Sequence, residues 1–87
     1  MNEVLLFTMN EVLFKISDRI NDLGCNPEIY FPEIKKISNL IKNKQINLIS
    51  KYVLSCSRRA YELGIVDNLL DSLLDELYHL SVNHLGK

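Results

Sequence analysis

The sequence is organised around one stretch, Val66-Asp-Asn-Leu-Leu-Asp-Ser-Leu-Leu-Asp-Glu-Leu-Tyr-His-Leu-Ser-Val-Asn-His84. Apolar side chains recur in it at alternating steps of four and three, which is the spacing of one buried helix face. They are Val66, Leu70, Leu73, Leu77 and Leu80, and His84 continues the line. A second line at helical spacing is mostly acidic and consists of Asp67, Asp71, Asp75 and Tyr78. The pattern predicts an amphipathic helix with one face in a core and one acidic face in solvent.

Three further segments show helical periodicity, and most of their ends carry a residue that starts or stops a helix. Gly24 and Gly64 each follow the last residue of an apolar line, where a left-handed backbone is needed. Pro32 favours a helix start after a short turn at 27–31. Only a polar cluster and a change in apolar phase indicate the corner at 43–47. The four predicted helices span about residues 3–23, 32–43, 46–63 and 67–84.

The predicted helices carry apolar lines that can share one core. In the first helix the line is Leu5, Met9, Val12, Ile16, Ile20 and Leu23, widened by Leu13 and Phe14. In the second it is Ile34, Ile37, Leu40 and Ile41, and in the third it is Ile46, Ile49, Val53, Cys56, Ala60 and Leu63. Short connections make consecutive helices antiparallel. We therefore predict one all-α domain over residues 1–87, a small four-helix bundle in which the first, third and fourth helices supply most of the core.

A chain of 87 residues is near the size at which a single core just suffices, so association with another chain is a natural way to add stability. Leu6 and Phe7 lie outside the apolar line of the first helix. A homodimer that covers them is therefore a further expectation.

The charges are unevenly distributed along the chain, although the net charge is −1. Residues 1–34 carry a net −4, residues 35–59 a net +7 and residues 60–87 a net −4. We expect the basic middle to pair mostly with the acidic ends inside the bundle, and any surplus of one sign to mark a docking surface. Two Cys are too few for a disulfide framework, and no signal peptide or membrane span is visible, so a reduced, cytoplasmic setting is expected.

No pattern in the sequence is typical of a catalytic, cofactor or metal site. His79 and His84 are five residues apart, which places them on different faces of a helix. Glu76-Leu-Tyr-His79 has the Glu-x-x-His spacing of di-metal helical bundles, but such sites need two copies of it. Cys56 lies on a predicted buried line, where a free thiol acts as a small apolar side chain. We predict a protein that is not an enzyme and that has no cofactor.

Nucleic-acid binding is a less favoured alternative. The second and third predicted helices carry a basic surface, as in a helix-turn-helix; its residues are Lys35, Lys36, Lys42, Lys44, Lys51, Arg58 and Arg59. The glycine-bearing turn of that motif is missing, and the chain is not basic overall.

The acidic face of the last predicted helix is the best candidate for a functional surface. Acids in the first turns of a helix are explained by the helix dipole, and this accounts for Asp67 and Asp71. Asp75, Glu76 and Tyr78 lie beyond the first turn. Carboxylates beside an aromatic suit a basic protein partner, because they speed its approach and the ring can anchor the contact. The predicted partner-binding residues are Asp67, Asp71, Asp75, Glu76 and Tyr78, and a helical adaptor that self-associates is the alternative.

The order of the segments adds a resemblance. Ile37-Ser-Asn-Leu-Ile-Lys-Asn-Lys44 leads through a polar corner into residues 46–63, which the Gly64-Ile65-Val66-Asp67 link and the Leu-rich helix follow. In this outline the chain resembles the small all-helical immunity proteins of bacterial toxin–immunity systems, including contact-dependent growth inhibition and Maf-type loci. The resemblance implies a cytoplasmic protein that binds a cognate toxin, such as a nuclease domain, and blocks it. The corner has Asn43-Lys44-Gln45 where a Gly-Glu pair is often found, and the resemblance carries over no binding residue.

Overall fold

A computed structural model describes the backbone of residues 3–85 and the side chains of residues 3–83. Every regular element in this part of the chain is helical. The elements are α1 (Glu3–Asp22), α2 (Pro27–Tyr30), α3 (Glu33–Lys42), a 3-10 turn (Ile46–Leu48), α4 (Ile49–Glu62) and α5 (Asn68–Leu85). The predicted all-α four-helix bundle is confirmed. Its predicted first, second, third and fourth helices are α1, α3, α4 and α5, and the predicted turn at 27–31 contains the single helical turn α2.

The four longer helices are arranged around a square. α1 packs against α5 and α3, and α4 packs against the same two helices, so α1 and α4 lie diagonally opposite each other. Arg19, near the end of α1, contacts Asp67 at the start of α5, and Glu33 at the start of α3 contacts Arg59 in the last turn of α4. Neighbouring helices are therefore antiparallel, as predicted, and the bundle measures 35 × 20 × 17 Å.

Three helix ends use the same left-handed turn, and one of them lacks glycine. Gly24 and Gly64 have φ angles of 88° and 74°, and Lys44 has a φ of 61°. In each turn the next N–H reaches back five residues along the helix; in the third example Gln45 N donates to Leu40 O at 2.8 Å. This is the Schellman arrangement, which satisfies carbonyls that a helix end leaves free. The weakly marked corner at 43–47 thus exists, with Lys44 in the position that glycine normally takes.

Most of the predicted core residues are buried, including Met9, Ile16, Ile49, Val53 and Cys56. In α5, Leu70, Leu73 and Leu77 are buried and Leu80 is half-buried against them, while the side chain of His84 lies outside the described residues. Two buried apolar residues lie outside the predicted apolar lines. Leu74 lies beside the predicted line, and Phe31, which follows α2, is only 1% exposed.

Four residues predicted on the apolar lines are exposed instead, and each has a local reason. Phe14 is 72% exposed because it is two residues from Ile16, which places it about 200° around the helix from the core. Leu23 and Leu63 follow the last residues of α1 and α4, where the helical phase no longer applies. Val66 precedes the start of α5 and is 93% exposed. At Leu23, Leu63 and Val66, the predicted spacing of four and three residues was carried beyond the end of the helix.

Candidate protein-interaction site

Asp67 joins α5 to α1 and is not free to meet a partner. Its Oδ2 accepts hydrogen bonds from Leu70 N at 2.8 Å and from Arg19 Nε at 2.9 Å, and its Oδ1 accepts one from Arg19 Nη2 at 2.7 Å. The first bond is the predicted N-cap of α5, and the other two form a bidentate ion pair. The Arg19 guanidinium and the Leu70 amide lower the pKa of Asp67 from its usual 3.8 to about 2. Asp67 therefore acts inside the fold, unlike the other predicted partner-binding residues.

Asp71 and Asp75 are exposed, one turn apart on α5. No ion pair involves Asp71 within the described residues. Asp75 has a side chain that is 70% exposed, and its Oδ1 lies 3.3 Å from Nε2 of His79, which is itself exposed on the next turn. Neither carboxylate is held by an arginine or a lysine of the described part of the chain. Both can therefore accept hydrogen bonds from a cationic partner without breaking a strong contact within the chain.

Tyr78 and Glu76 occupy different sides of α5. Tyr78 follows Asp71 and Asp75 on the same flank, is half-buried against the core, and meets the His79 ring edge-on at 5.8 Å. Glu76 is exposed but lies about 140° around the helix from Asp71. The structure thus brings together Asp71, Asp75 and Tyr78, which we call the α5 acidic flank, and leaves Glu76 on the opposite flank.

The neighbouring helix α1 places a cation beside one acid of this flank and a further acid beside the other. The Arg19–Asp67 ion pair fixes the level of two antiparallel helices, so one turn along α5 corresponds to one turn back along α1. Lys15 therefore lies at about the level of Asp71, and Glu11 at about the level of Asp75. Because a cation accompanies Asp71 and another acid accompanies Asp75, we expect the most negative potential near Asp75.

The expectation that the basic middle of the chain is paired internally holds for Arg59 alone. Arg59 Nη2 contacts Glu33 Oε2 at 3.0 Å, while Arg58 and the five lysines at 35, 36, 42, 44 and 51 form no ion pair with any described acid. Lys36 and Lys51 instead lie over the half-buried Tyr52 ring, with Nζ 5.6 and 6.0 Å from its centroid. α3 and α4 therefore present an uncompensated basic surface.

Glu33, Ser55 and Arg59 form a buried polar cluster that was not predicted from the sequence. Glu33 is only 6% exposed, and its Oε2 also accepts a hydrogen bond from Ser55 Oγ at 2.7 Å. Burial by itself raises the pKa of Glu33, but the bonds from Ser55 and Arg59 outweigh it and hold the pKa below its usual value. Glu33 Oε1 and Arg59 Nε are buried without a hydrogen-bond partner in the described part. The cluster ties α3 to α4, and no spacing in the sequence indicates it because its members are far apart along the chain.

The described chain also has a surface groove and a buried thiol. A groove of about 710 Å³ lies between α1, α2 and α3, with Leu13, Phe14 and Phe31 in its wall and with Glu28 and Lys35 as the charged residues that line it. Residues 3–83 bring together no group of three His, Cys, Asp or Glu side chains that could hold a metal ion. Cys56 is buried, and burial raises the pKa of its thiol to about 12, which suppresses the thiolate. None of the helices described is both long enough and apolar enough to cross a bilayer.

Comparison with protein-family models, curated proteins and solved structures gives no match to this chain.

Proposed function

We propose that this chain is a non-enzymatic inhibitor that binds a basic partner domain through the α5 acidic flank. One observation carries the proposal: Asp71 and Asp75 are exposed side by side on α5 and pair with no lysine or arginine among residues 3–83, whereas Asp67 and Glu33 each pair with an arginine. Carboxylates available in this way attract a basic surface and can pair with its Arg or Lys side chains on contact. Tyr78 at the edge of the flank offers part of an aromatic ring as an anchor.

The class of partner is part of the same proposal. The order of the helices resembles small immunity proteins, so the partner is proposed to be the toxin domain of a bacterial toxin–immunity pair, met in the cytoplasm. Inhibition needs no chemistry from this chain, because a bound bundle of 35 × 20 × 17 Å is large enough to cover an active-site cleft. A basic toxin surface, such as one that binds nucleic acid, is the natural counterpart of the acidic flank.

The test begins with the open reading frame upstream of this gene, which the proposal requires to end in a toxin-sized C-terminal domain. The purified domain is immobilised, and binding of this chain is followed over time by biolayer interferometry. We expect Asp71→Lys together with Asp75→Lys to lower the association rate at least about tenfold, because the variant replaces an attractive charge with a repulsive one. In cells, the wild-type chain relieves growth arrest by that domain and the variant does not.

Two controls separate charge from folding. Lys35→Glu with Lys42→Glu places the same number of reversals on α3, diagonally opposite α5, and keeps the binding of the wild type at physiological salt. Circular dichroism must show the same helix content in both variants. Unchanged association of the Asp71→Lys, Asp75→Lys variant would exclude this flank, and no association of the wild-type chain with the neighbouring domain would overturn the proposed partner.

A further inference from the structure

The outward sides of α1 and α4 carry complementary patterns. On α1, four residues at steps of four, three and four point away from the core; the α1 outer line is Phe7, Glu11, Phe14 and Asp18. On α4, four residues at steps of three, four and three do the same; the α4 outer line is Lys51, Leu54, Arg58 and Tyr61. Each line alternates apolar and charged side chains. The charges are acidic on α1 and basic on α4.

The apolar members of both lines are mostly exposed to solvent. Phe7 and Phe14 are 64% and 72% exposed, and Leu54 and Tyr61 are 57% and 85% exposed. Their charged neighbours make no ion pair within the described residues; Lys51 has only its distant approach to the Tyr52 ring. Exposed apolar side chains in rows along a helix indicate a contact surface for another helix.

The two lines match residue by residue when they are laid antiparallel. Phe7 then meets Tyr61, Glu11 meets Arg58, Phe14 meets Leu54 and Asp18 meets Lys51, and one register satisfies all four pairs. A parallel arrangement matches Phe7 with Leu54, Glu11 with Arg58 and Phe14 with Tyr61, but leaves Asp18 and Lys51 without each other. Two α1 outer lines from two copies would bring Glu11 and Asp18 close to acids of the same sign, which is unfavourable. The α4 outer line is therefore the better partner for the α1 outer line.

We propose that this chain associates head to tail with a second copy of itself, the α1 outer line of one copy binding the α4 outer line of the next. The net charge of −1 leaves little long-range repulsion between copies. α1 and α4 lie on diagonally opposite corners of the bundle, so a copy that uses one line leaves the other free. Such a contact is heterologous and does not close at the dimer, so the product is a larger ring or an open-ended series. A single helix pair buries less surface than a standard stable interface, so the association is weak.

The experiment is sedimentation velocity from about 10 µM to about 1 mM, the range in which a small interface is populated. In 20 mM salt the weight-average mass of the wild type rises with concentration without a plateau at the dimer, and 0.5 M salt reduces the rise. Glu11→Lys with Asp18→Lys, and separately Lys51→Glu with Arg58→Glu, each weaken association more than about tenfold. An equimolar mixture of the two variants regains association, because one copy then offers basic lines and the other acidic lines. At about 0.15 M salt, where the Debye length is about 8 Å, Asp71→Lys with Asp75→Lys changes association far less than either of these pairs of reversals.

Three results would overturn the proposal: a wild type that stays monomeric to about 1 mM in low salt, a closed dimer that neither pair of reversals affects, or a mixture of variants that does not associate. The closed dimer would favour an apolar contact that does not use these charges. The Lys51→Glu, Arg58→Glu variant keeps the α5 acidic flank, so its binding to the toxin domain is measured in parallel. Failure of self-association and failure of the proposed function are thereby distinguished.

Discussion

At the scale of single residues, Asp67 makes the bundle sensitive to acid. The carboxylate caps α5 and pairs with Arg19, and the bonds from Arg19 and the Leu70 amide lower its pKa from 3.8 to about 2. A group whose pKa is lower in the folded state stabilises the fold above its unfolded pKa, and this stabilisation disappears as the pH falls through the folded value. The contribution of Asp67 is therefore complete above about pH 4 and is lost between about pH 4 and pH 2.

We predict that Asp67→Asn lowers the urea midpoint at pH 7 and flattens its fall between pH 4 and pH 2. Asn keeps the side-chain oxygen that caps a helix but carries no charge to titrate, while Asp67→Ala removes the cap as well and lowers the midpoint further. Urea unfolding followed by circular dichroism at several pH values measures both effects. Asp18→Asn serves as the control, since Asp18 makes no described ion pair that could be lost. A fall with pH as steep in Asp67→Asn as in the wild type would contradict the assignment.

Lys44 affects the stability of the bundle through its backbone conformation. Its φ of 61° is unfavourable for a side chain with a Cβ, while Gly64 occupies the same kind of turn at 74° without that cost. We predict that Lys44→Gly stabilises the protein by about 1 kcal/mol and that Gly64→Ala destabilises it by about the same amount. A Cβ at Gly64 would have no atom within 4 Å, so the second change reports backbone conformation alone. Urea midpoints are the measurement, and a Lys44→Gly variant less stable than the wild type would show that the turn does not strain Lys44.

At the scale of the elements, the sequence predicts which residues are buried where a helical apolar pattern is long. It does not predict burial at the ends of helices or contacts between residues far apart along the chain. The line in α5 was predicted from Leu70, Leu73 and Leu77, because a buried helix face repeats at steps that one sequence displays. Val66 was misplaced because helical spacing does not apply before the cap at Asp67. The Glu33 cluster with Ser55 was not predictable, since only the antiparallel packing of α3 on α4 brings the two together.

The segment 27–31 also contains a buried side chain that the sequence pattern does not indicate. Pro27 at its start and Pro32 directly after it favour a turn, but the burial of Phe31 at 1% depends on how α2 folds back over the bundle. We predict that Phe31→Ala costs about 3–5 kcal/mol, because it removes a large ring from a packed interior. Ile29→Ala is the matched control within α2; its side chain is 69% exposed, so the expected cost is below about 1 kcal/mol. Equal costs for the two changes, measured by urea unfolding, would mean that Phe31 is not a core residue.

At the scale of the whole molecule, charge is separated across the bundle. α1, Asp67 and α5 together carry eight acids against Lys15 and Arg19, while the chain from 33 to 62 carries seven cations against Glu33 and Glu62. α3 lies diagonally opposite α5, and the two shorter dimensions of the bundle are 20 and 17 Å. The Debye length is about 8 Å at 0.15 M salt and about 30 Å at 0.01 M. A partner at α5 therefore senses the charge of α3 in dilute salt and hardly senses it at physiological salt.

Because of this separation, the salt dependence of the association rate distinguishes charges at the contact from charges that act only at long range. Lys35→Glu with Lys42→Glu changes the net charge from −1 to −5 without touching α5. For a basic partner bound at the α5 acidic flank, we expect this variant to associate severalfold faster than the wild type at about 0.01 M salt and at the same rate at about 0.15 M. Asp71→Lys with Asp75→Lys slows association at both salt concentrations, because its charges lie at the contact. Stopped-flow mixing with the toxin domain measures the rates. If instead the α3 variant slowed association at both concentrations and the α5 variant did not, an acidic surface of the partner would bind at α3, and the α5 acidic flank would lose its role.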